Sequence, residues 1–387
     1  MDRLQLSFFG PTNSGKSALV NALAGQEVSL VSPVPGTTTD AVRKLIELPE
    51  LGACVLVDTA GYDDDGTLGD ERERLTLAQV DGTDIAIVML LKEESPQEKQ
   101  WLSRLGRAGI PVIGYIAKSD LLLPSEMETI VARHPDIPLA HDLGSLLDEL
   151  VKVLPEREER PLTGNLVKPR DCVLLVMPQD SEAPKGRIIL PQVQVLRELL
   201  DRGCNALCCT PDSLPAAMER IRPDLVITDS QVFAAVNAAL PADVPLTSFS
   251  ILLAGAKGDL QAFVDGARAI DSLKPGARVL IAEACTHVPD TEDIGRVKIP
   301  MLLRKKMADQ VGHDGNEALQ IDIAAGNDFP EDLSQYALII HCGACVATAS
   351  LVRSRIRKAH LAGVPITNYG VALAKLQGIL DRVSLPC

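Results

Sequence analysis

The segment Gly10-Pro-Thr-Asn-Ser-Gly15-Lys16-Ser17 decides the fold of the first part of the chain. It follows an apolar run that predicts a strand, Leu4–Phe9, and it opens a predicted helix, Ser17–Ala24. The two glycines let backbone N–H groups converge on phosphate oxygens, and the positive end of the helix dipole favours an anion there. We therefore expect a phosphate-binding loop, in which Lys16 reaches the β- and γ-phosphates and Ser17 ligates Mg²⁺.

Two further motifs downstream are of the kinds that accompany such a phosphate-binding loop. Asp58-Thr-Ala-Gly61 ends an apolar run, and we expect Asp58 in the magnesium shell and the Gly61 N–H facing the γ-phosphate. Pro35-Gly-Thr-Thr-Thr-Asp40 supplies hydroxyls, among which Thr38 is the best candidate for Mg²⁺ and the γ-phosphate. The three motifs together indicate a site for a magnesium–nucleoside triphosphate complex.

Alternating strand and helix patterns continue along the whole chain and predict an α/β fold with a mostly parallel sheet. A charged segment bounded by prolines, Pro155–Pro161, is typical of a linker. A second alternation follows it, and a third begins near Lys274-Pro-Gly276. We therefore predict three α/β domains, over residues 1–160, 161–273 and 274–387.

Cysteine and histidine are concentrated in the third predicted domain. Cys285-Thr-His287 follows one predicted strand, Val279–Ala282, and His341-Cys342-Gly-Ala-Cys345 follows another. Three thiolates with one further donor suit an iron–sulfur cluster, whereas three thiolates with a histidine suit tetrahedral zinc. The residues alone leave both open. The other internal cysteines lie in or beside apolar strands, and we expect them in hydrophobic cores: Cys54, Cys172, Cys204, Cys208 and Cys209.

Composition limits the classes of function. The chain has 387 residues, a formal net charge of −14 and only 3% aromatic residues, so nucleic-acid binding is disfavoured. The longest clean apolar run, Ile85–Leu91, is far shorter than the ~20 residues of a membrane span. The first residues lack the pattern of a secretory signal, and the nine cysteines, an odd number, are not expected to form a disulfide framework in a reducing cytosol, so metal binding or burial must explain them. We therefore expect a cytoplasmic protein.

The nucleotide motifs resemble those of the TrmE–Era group of GTPases. The resemblance implies that Asn13 helps to bind a K⁺ ion, which supplies positive charge at the transferring phosphate. It also implies a guanine motif at Ala117-Lys-Ser-Asp120, in which Lys118 and Asp120 match the group's pattern and Ala117 replaces an asparagine. The nucleotide-binding set implied in this way is Gly10, Asn13, Ser14, Gly15, Lys16, Ser17, Ala18, Lys118 and Asp120.

The cysteine motifs, with the phosphate loop, resemble the HydF family of [FeFe]-hydrogenase maturation GTPases. The resemblance implies a [4Fe–4S] cluster on Cys285, Cys342 and Cys345, with His287, Asp293 or His341 as candidate fourth ligand. It implies a homodimeric carrier that receives a diiron precursor of the H-cluster and delivers it to apo-hydrogenase, with two radical-SAM maturases as partners. The alternative is a TrmE–Era-like regulatory GTPase with a structural zinc site.

Overall fold

The computed structural model describes most of the chain, and its contacts separate it into two compact units, residues 1–158 and 159–387. The described residues are 3–25, 42–48, 50–61, 76–77, 79–154, 161–179, 185–284, 293–311, 319–326, 328–345 and 347–386. Thr38, Cys285 and His287 lie outside these ranges.

The first unit contains a six-stranded sheet with strand order β2-β3-β1-β4-β5-β6. Only β2 is antiparallel to its neighbour, so the predicted mostly parallel α/β sheet is confirmed. The strands are β1 (Leu4–Phe9), β2 (Val42–Leu48), β3 (Gly52–Asp58), β4 (Ile85–Leu90), β5 (Val112–Ile116) and β6 (Leu139–Ala140). The described α-helices are α1 (Lys16–Ala24), α2 (Pro96–Arg107), α3 (Pro124–Arg133) and α4 (Leu143–Val153).

Both faces of this sheet are buried. Along β4, Ile87 and Met89 pack into one apolar cluster, whereas Val88 and Leu90 pack into another on the opposite face. Successive side chains of a strand point to opposite faces, so a strand that is apolar throughout must be covered on both sides. This arrangement places the carboxyl ends of β1, β3 and β4 at one edge.

The second unit contains two four-stranded parallel sheets, with strand orders β10-β9-β7-β8 and β12-β11-β13-β14. The first comprises β7 (Cys172–Val176), β8 (Asn205–Cys209), β9 (Leu225–Thr228) and β10 (Leu246–Ser248). The second comprises β11 (Ala277–Glu283), β12 (Leu319–Ala325), β13 (Leu338–His341) and β14 (Ile366–Asn368). Its described α-helices are α5 (Leu190–Asp201), α6 (Leu214–Met218), α7 (Phe233–Ala239), α8 (Phe249–Lys257), α9 (Leu260–Arg268), α10 (Ile299–Val311), α11 (Ala349–Leu361) and α12 (Tyr369–Leu376).

One apolar core joins the two sheets of the second unit. It includes Leu174 and Val226 from the first sheet and Leu280 and Ile339 from the second. A shared core of this kind makes the two sheets one compact body, which explains why residues 159–387 form a single unit.

The edge strand β8 corrects one expectation. Cys208 is exposed, and Cys172 and Cys209 are only partly buried, so the prediction of core positions is right for Cys54 and Cys204 and wrong for Cys208. The physical reason is that β8 pairs on one side only, with β7. An apolar strand at a sheet edge leaves part of its surface in solvent.

Within the part of the chain that the structure describes, no helix is long and apolar enough to cross a lipid bilayer.

Candidate nucleotide site and cysteine loop

The loop after β1 has the backbone geometry of an anion-binding site. Asn13 has φ 59° and Gly15 has φ 95°, both in the left-handed region, and α1 begins at the next residue, Lys16. A glycine at the helix N-cap brings no side chain to the first-turn N–H groups, so these groups can donate to a ligand. The predicted strand, loop and helix are all present, with α1 beginning one residue earlier than expected.

Lys16 is buried at this loop. Its Nζ donates hydrogen bonds to the carbonyl oxygens of Gly10 and Pro11, each at 2.8 Å. An ammonium group fixed in a half-enclosed loop presents a positive charge to any anion bound there, at little further cost in side-chain entropy.

Ser17 and Asp58 meet across the site. Ser17 Oγ donates to Asp58 Oδ2 at 2.6 Å, and Asp58 is fully buried at the end of β3. The register places Asp58 opposite Phe8, the penultimate residue of β1, so two separate motifs converge at one sheet edge. A hydroxyl beside a carboxylate is a pair of hard oxygen donors, which suits Mg²⁺.

A close approach brings the Asp58–Gly61 turn against the loop. A Cβ atom added to Gly61 would lie 2.1 Å from Thr12 Oγ1 and 2.8 Å from Thr12 N, so no side chain fits there. Thr59 Oγ1 anchors the turn by donating to the Phe8 carbonyl at 2.6 Å. The turn is therefore fixed beside the loop, as the motif predicts.

The residues present fit a bound phosphate. The hydroxyl of Ser14 is buried and has no hydrogen-bond partner among the described residues. A buried hydroxyl without a partner costs free energy that a ligand oxygen would recover. Ser14 lies between Asn13 and Gly15 in the loop, where such an oxygen is expected.

The predicted guanine motif follows β5. Lys118 adopts a left-handed conformation, φ 55°, and both Lys118 and Asp120 are exposed. Ser119 Oγ donates to the carbonyl of His141 at 2.7 Å, which links the motif to the segment after β6. Ala117, in the position of the missing asparagine, is buried in the apolar core of the unit. The exposed carboxylate of Asp120 can accept hydrogen bonds from the edge of a base.

In the second unit, the ends of two adjacent parallel strands carry the cysteine motifs. Ala282 of β11 pairs with His341 of β13, and Cys342 Sγ accepts a hydrogen bond from the N–H of Ala284 at 3.1 Å. Ala284 is the last described residue before Cys285, the third predicted ligand, which lies outside the described residues. A backbone N–H directed at sulfur favours a thiolate, the form that binds metal. The residues present therefore fit a metal or cluster bound through sulfur.

A buried lysine supports the cysteine loop. Lys257 Nζ donates to the carbonyl oxygens of Ala344 at 3.0 Å, Cys345 at 3.4 Å and Ala347 at 2.8 Å. Lys257 ends α8, so it reaches the loop from a different part of the unit. Sequence reasoning missed this residue, because a single lysine at the end of an apolar helix has no spacing pattern that indicates a partner.

His341 is engaged on both sides of its ring. Nδ1 lies 2.8 Å from the carbonyl oxygen of Cys342, and Nε2 lies 3.2 Å from Nη1 of buried Arg355. Burial, with the Arg355 charge, lowers the pKa of His341 to about 3, so the ring is neutral. Because the guanidinium can only donate, Nε2 accepts and Nδ1 donates to Cys342. In this arrangement His341 positions the cysteine loop.

Asp293 lies in the same region. Its carboxylate accepts a hydrogen bond from the N–H of Arg296 at 2.8 Å, and the residue caps the N-terminus of a π-helical turn, Ile294–Lys298. Burial raises the pKa of Tyr369 well above its usual value, and the charges of Cys342, Glu283 and Asp293 act in the same direction. Tyr369 is thus close to both a predicted cluster ligand and Asp293. The structure therefore gathers Cys342, Cys345, His341 and Asp293 at one end of the second sheet.

Comparison with known proteins first gives the class of the N-terminal unit. Residues 5–118 match the family model described as 50S ribosome-binding GTPase, so the unit contains a GTPase domain. GTPase Der of Limosilactobacillus reuteri is 35% identical over 135 residues, which cover 33% of this chain and 31% of Der. The tRNA modification GTPase MnmE of Herminiimonas arsenicoxydans is 36% identical over 140 residues, covering 35% of this chain and 29% of MnmE. The chain thus spans about three tenths of the length of these curated relatives.

Among solved structures, Aquifex aeolicus Era bound to GDP·AlF4⁻ is similar, with 20% identity and a TM-score of 0.37. The match covers 54% of this chain and 93% of Era.

The remainder of the chain identifies the family. Residues 162–258 match the hydrogen maturase F dimerization domain, and residues 261–386 match the hydrogen maturase F tetramerization domain. The chain belongs to the hydrogen maturase F (HydF) family. The names of both domain models support assembly into oligomers.

Proposed function

We propose that the N-terminal unit binds GTP with Mg²⁺ and hydrolyses it to GDP and phosphate with K⁺ as activator. Lys16 binds the β- and γ-phosphates, Ser17 and Thr38 bind Mg²⁺, Asp58 orients its hydration shell, and Gly61 donates its N–H to the γ-phosphate. When bound, Mg²⁺ and K⁺ supply positive charge where negative charge develops. The backbone and side chains that bind the phosphates and K⁺ are Gly10, Asn13, Ser14, Gly15 and Ala18, and those that bind the guanine are Lys118 and Asp120.

We propose that the second unit binds a [4Fe–4S] cluster through Cys285, Cys342 and Cys345. His287, Asp293 and His341 are the candidates for the fourth position, and His341 would have to exchange its hydrogen bond with Arg355 for the iron. Two contacts support this proposal, because each fixes the loop for ligation through sulfur. The Ala284 N–H donates a hydrogen bond to Cys342 Sγ, and Lys257 donates hydrogen bonds to three carbonyl oxygens of the loop. When bound, the cluster supplies one iron with a replaceable ligand, and the cysteines and their supports position it.

We propose, on the strength of the family membership, that the protein is a carrier in [FeFe]-hydrogenase maturation. Its cargo is the diiron precursor of the H-cluster, which it receives with the help of two radical-SAM maturases and delivers to apo-hydrogenase. It works in the cytoplasm as a homodimer or a larger oligomer, without nucleic acid or membrane. We assign residues 1–160 to GTP hydrolysis, 161–273 to dimerisation and 274–387 to the cluster.

One observation carries this proposal. The same chain holds a phosphate loop whose Ser17 is hydrogen-bonded to Asp58 and, in its other unit, a cysteine loop whose carbonyl oxygens are bound by Lys257. The proposal is tested by measuring the transfer of a diiron cargo to apo-hydrogenase. Protein loaded anaerobically with iron, sulfide and a synthetic diiron cargo is mixed with apo-hydrogenase, and hydrogen evolution is measured. We expect activity from the parent chain and none from Cys342→Ala. A colourless protein that binds one zinc ion and activates no hydrogenase would overturn the carrier proposal and favour the regulatory GTPase.

A further inference from the structure

A second group of side chains able to bind a metal lies in the N-terminal unit, and its residues belong to none of the motifs used above. Glu94 and Glu98 come from the segment that begins α2, and His134 is the C-cap residue of α3. One ligand atom from each of the three residues lies within 4.8 Å of the other two. Sequence reasoning assigned no role to His134, because its two partners lie about 40 residues earlier in the chain.

Two of these side chains are buried and face each other. Glu98 is 1% exposed and His134 is 7% exposed. Among the described residues, the Glu98 carboxylate and His134 Nε2 form no well-aligned side-chain hydrogen bond, and their closest contact is the 3.3 Å between Glu98 Oε1 and His134 Nε2. A buried carboxylate in this condition is costly, and a bound cation is one way to offset that cost.

The spacing favours a cation. His134 Nε2 lies 3.3 Å from Glu98 Oε1. Ligand bonds of ~2.0–2.1 Å to a tetrahedral ion place neighbouring donors ~3.3–3.5 Å apart, so this pair already has the separation of two zinc ligands. Glu94 is partly exposed, and one of its carboxylate oxygens lies within 4.8 Å of the other two ligand atoms, so it can complete a three-ligand face with a water molecule in the fourth position.

Both acidic and basic side chains lie near these three residues. Glu94 forms an ion pair with the exposed Lys99 at 2.9 Å, an interaction that is weak in solvent and readily exchanged for a metal. The positive charge of Arg133, whose Nη2 donates to the Lys92 carbonyl at 3.0 Å, repels a metal ion bound nearby. The backbone N–H of Leu91 also faces Glu98. Burial, with the Glu94 charge, raises the pKa of Glu98 to about 7, and the charges of Arg133 and Lys99 act in the opposite direction.

We propose that Glu94, Glu98 and His134 bind a divalent transition-metal ion of the zinc class, at a site separate from the nucleotide and the cysteine loop. Two carboxylates and a neutral imidazole neutralise such an ion and match its preference for oxygen and nitrogen ligands. The ion joins the start of α2 to the end of α3.

The test uses Co²⁺ as a coloured substitute for zinc. The full chain carries Cys342→Ala and Cys345→Ala to remove the thiolate pair, and no nucleotide is added. We expect one equivalent of Co²⁺ with the visible bands of oxygen and nitrogen ligation and no thiolate charge-transfer band. In Glu98→Gln and in His134→Gln, we expect affinity to fall by on the order of 100-fold.

Controls separate ligation from folding. Glu128→Gln changes an exposed glutamate on α3 and should leave Co²⁺ affinity unchanged. Glu98→Gln keeps the shape of the side chain and removes a buried charge, so its melting temperature in chelator should not fall. The proposal is wrong if the parent binds no Co²⁺ at millimolar concentration, or if Glu98→Gln and His134→Gln bind it as tightly as the parent.

Discussion

At Gly61 a single methyl group decides whether the Asp58–Gly61 turn can lie against the phosphate loop. A Cβ atom there would lie 2.1 Å from Thr12 Oγ1 and 2.8 Å from Thr12 N. Because Thr12 N belongs to the backbone, rotation of one side chain cannot relieve the contact. The turn and the loop must therefore separate if this glycine is replaced.

Gly61→Ala should cost about 1–3 kcal/mol of stability and lower GTP turnover on the order of 100-fold, because the Gly61 N–H is displaced from the γ-phosphate. Turnover and the free energy of unfolding in urea are the measurements. Gly106→Ala is the matched control, since no atom lies within 4 Å of its added Cβ and the position is in α2. It should leave turnover unchanged and stabilise the helix by about 0.5–1 kcal/mol. Equal turnover in both variants would contradict the close approach.

Residues that belong to a spaced motif could be predicted from sequence, and residues that act alone could not. Lys16, Ser17 and Asp58 were predicted to share a site, and the structure brings them together. Lys257 and His134 have no such spacing, because their partners come from distant parts of the chain. Only the tertiary structure reveals them.

At the scale of elements, the strands that precede the motifs follow directly from apolar runs, and β1 has the predicted bounds, Leu4–Phe9. From sequence alone, Pro245–Ser250 is a candidate strand, but in the structure β10 ends at Ser248 and α8 begins at Phe249. Ser248 Oγ accepts from the N–H of Ile251 and caps this helix. The run Leu246-Thr-Ser-Phe-Ser250 mixes apolar and hydroxyl residues in a way that fits a strand, whereas Ser248 is also a favourable N-cap residue, so periodicity alone does not place the boundary between strand and helix.

The cysteine loop depends on α8 through Lys257. In Lys257→Met, three loop carbonyls lose a charged donor, so the cluster should be retained on the order of 10-fold more weakly. Iron content after anaerobic reconstitution and gel filtration is the measurement. Lys305→Met, an exposed position on α10, should keep the parent's iron content. If both variants retain iron equally, Lys257 does not support the cluster.

At the scale of the whole molecule, the nucleotide motifs and the cysteine loop belong to two different compact units. Apolar side chains of both sheets share a core in the second unit, so the finer division at residue 273 stays a prediction. Composition alone shows where a charged linker interrupts the chain. It does not show which apolar faces pack together afterwards.

If the two units work as separate sites, a defect in one should spare the other. Lys16→Ala removes the ammonium group that we propose binds the phosphates, so GTP turnover should fall by on the order of 100-fold or more. Iron bound per chain should be unchanged. Loss of iron in this variant would show that cluster binding requires an intact nucleotide site.

The central claim is that Cys285, Cys342 and Cys345 bind one [4Fe–4S] cluster, and EPR of the reduced, anaerobically reconstituted chain tests it most directly. The parent should show the signal of a reduced cubane with about four irons per chain. Cys342→Ala should lose the signal, whereas Cys208→Ala, at an exposed cysteine on β8, should keep it. An unchanged spectrum in Cys342→Ala would contradict the account.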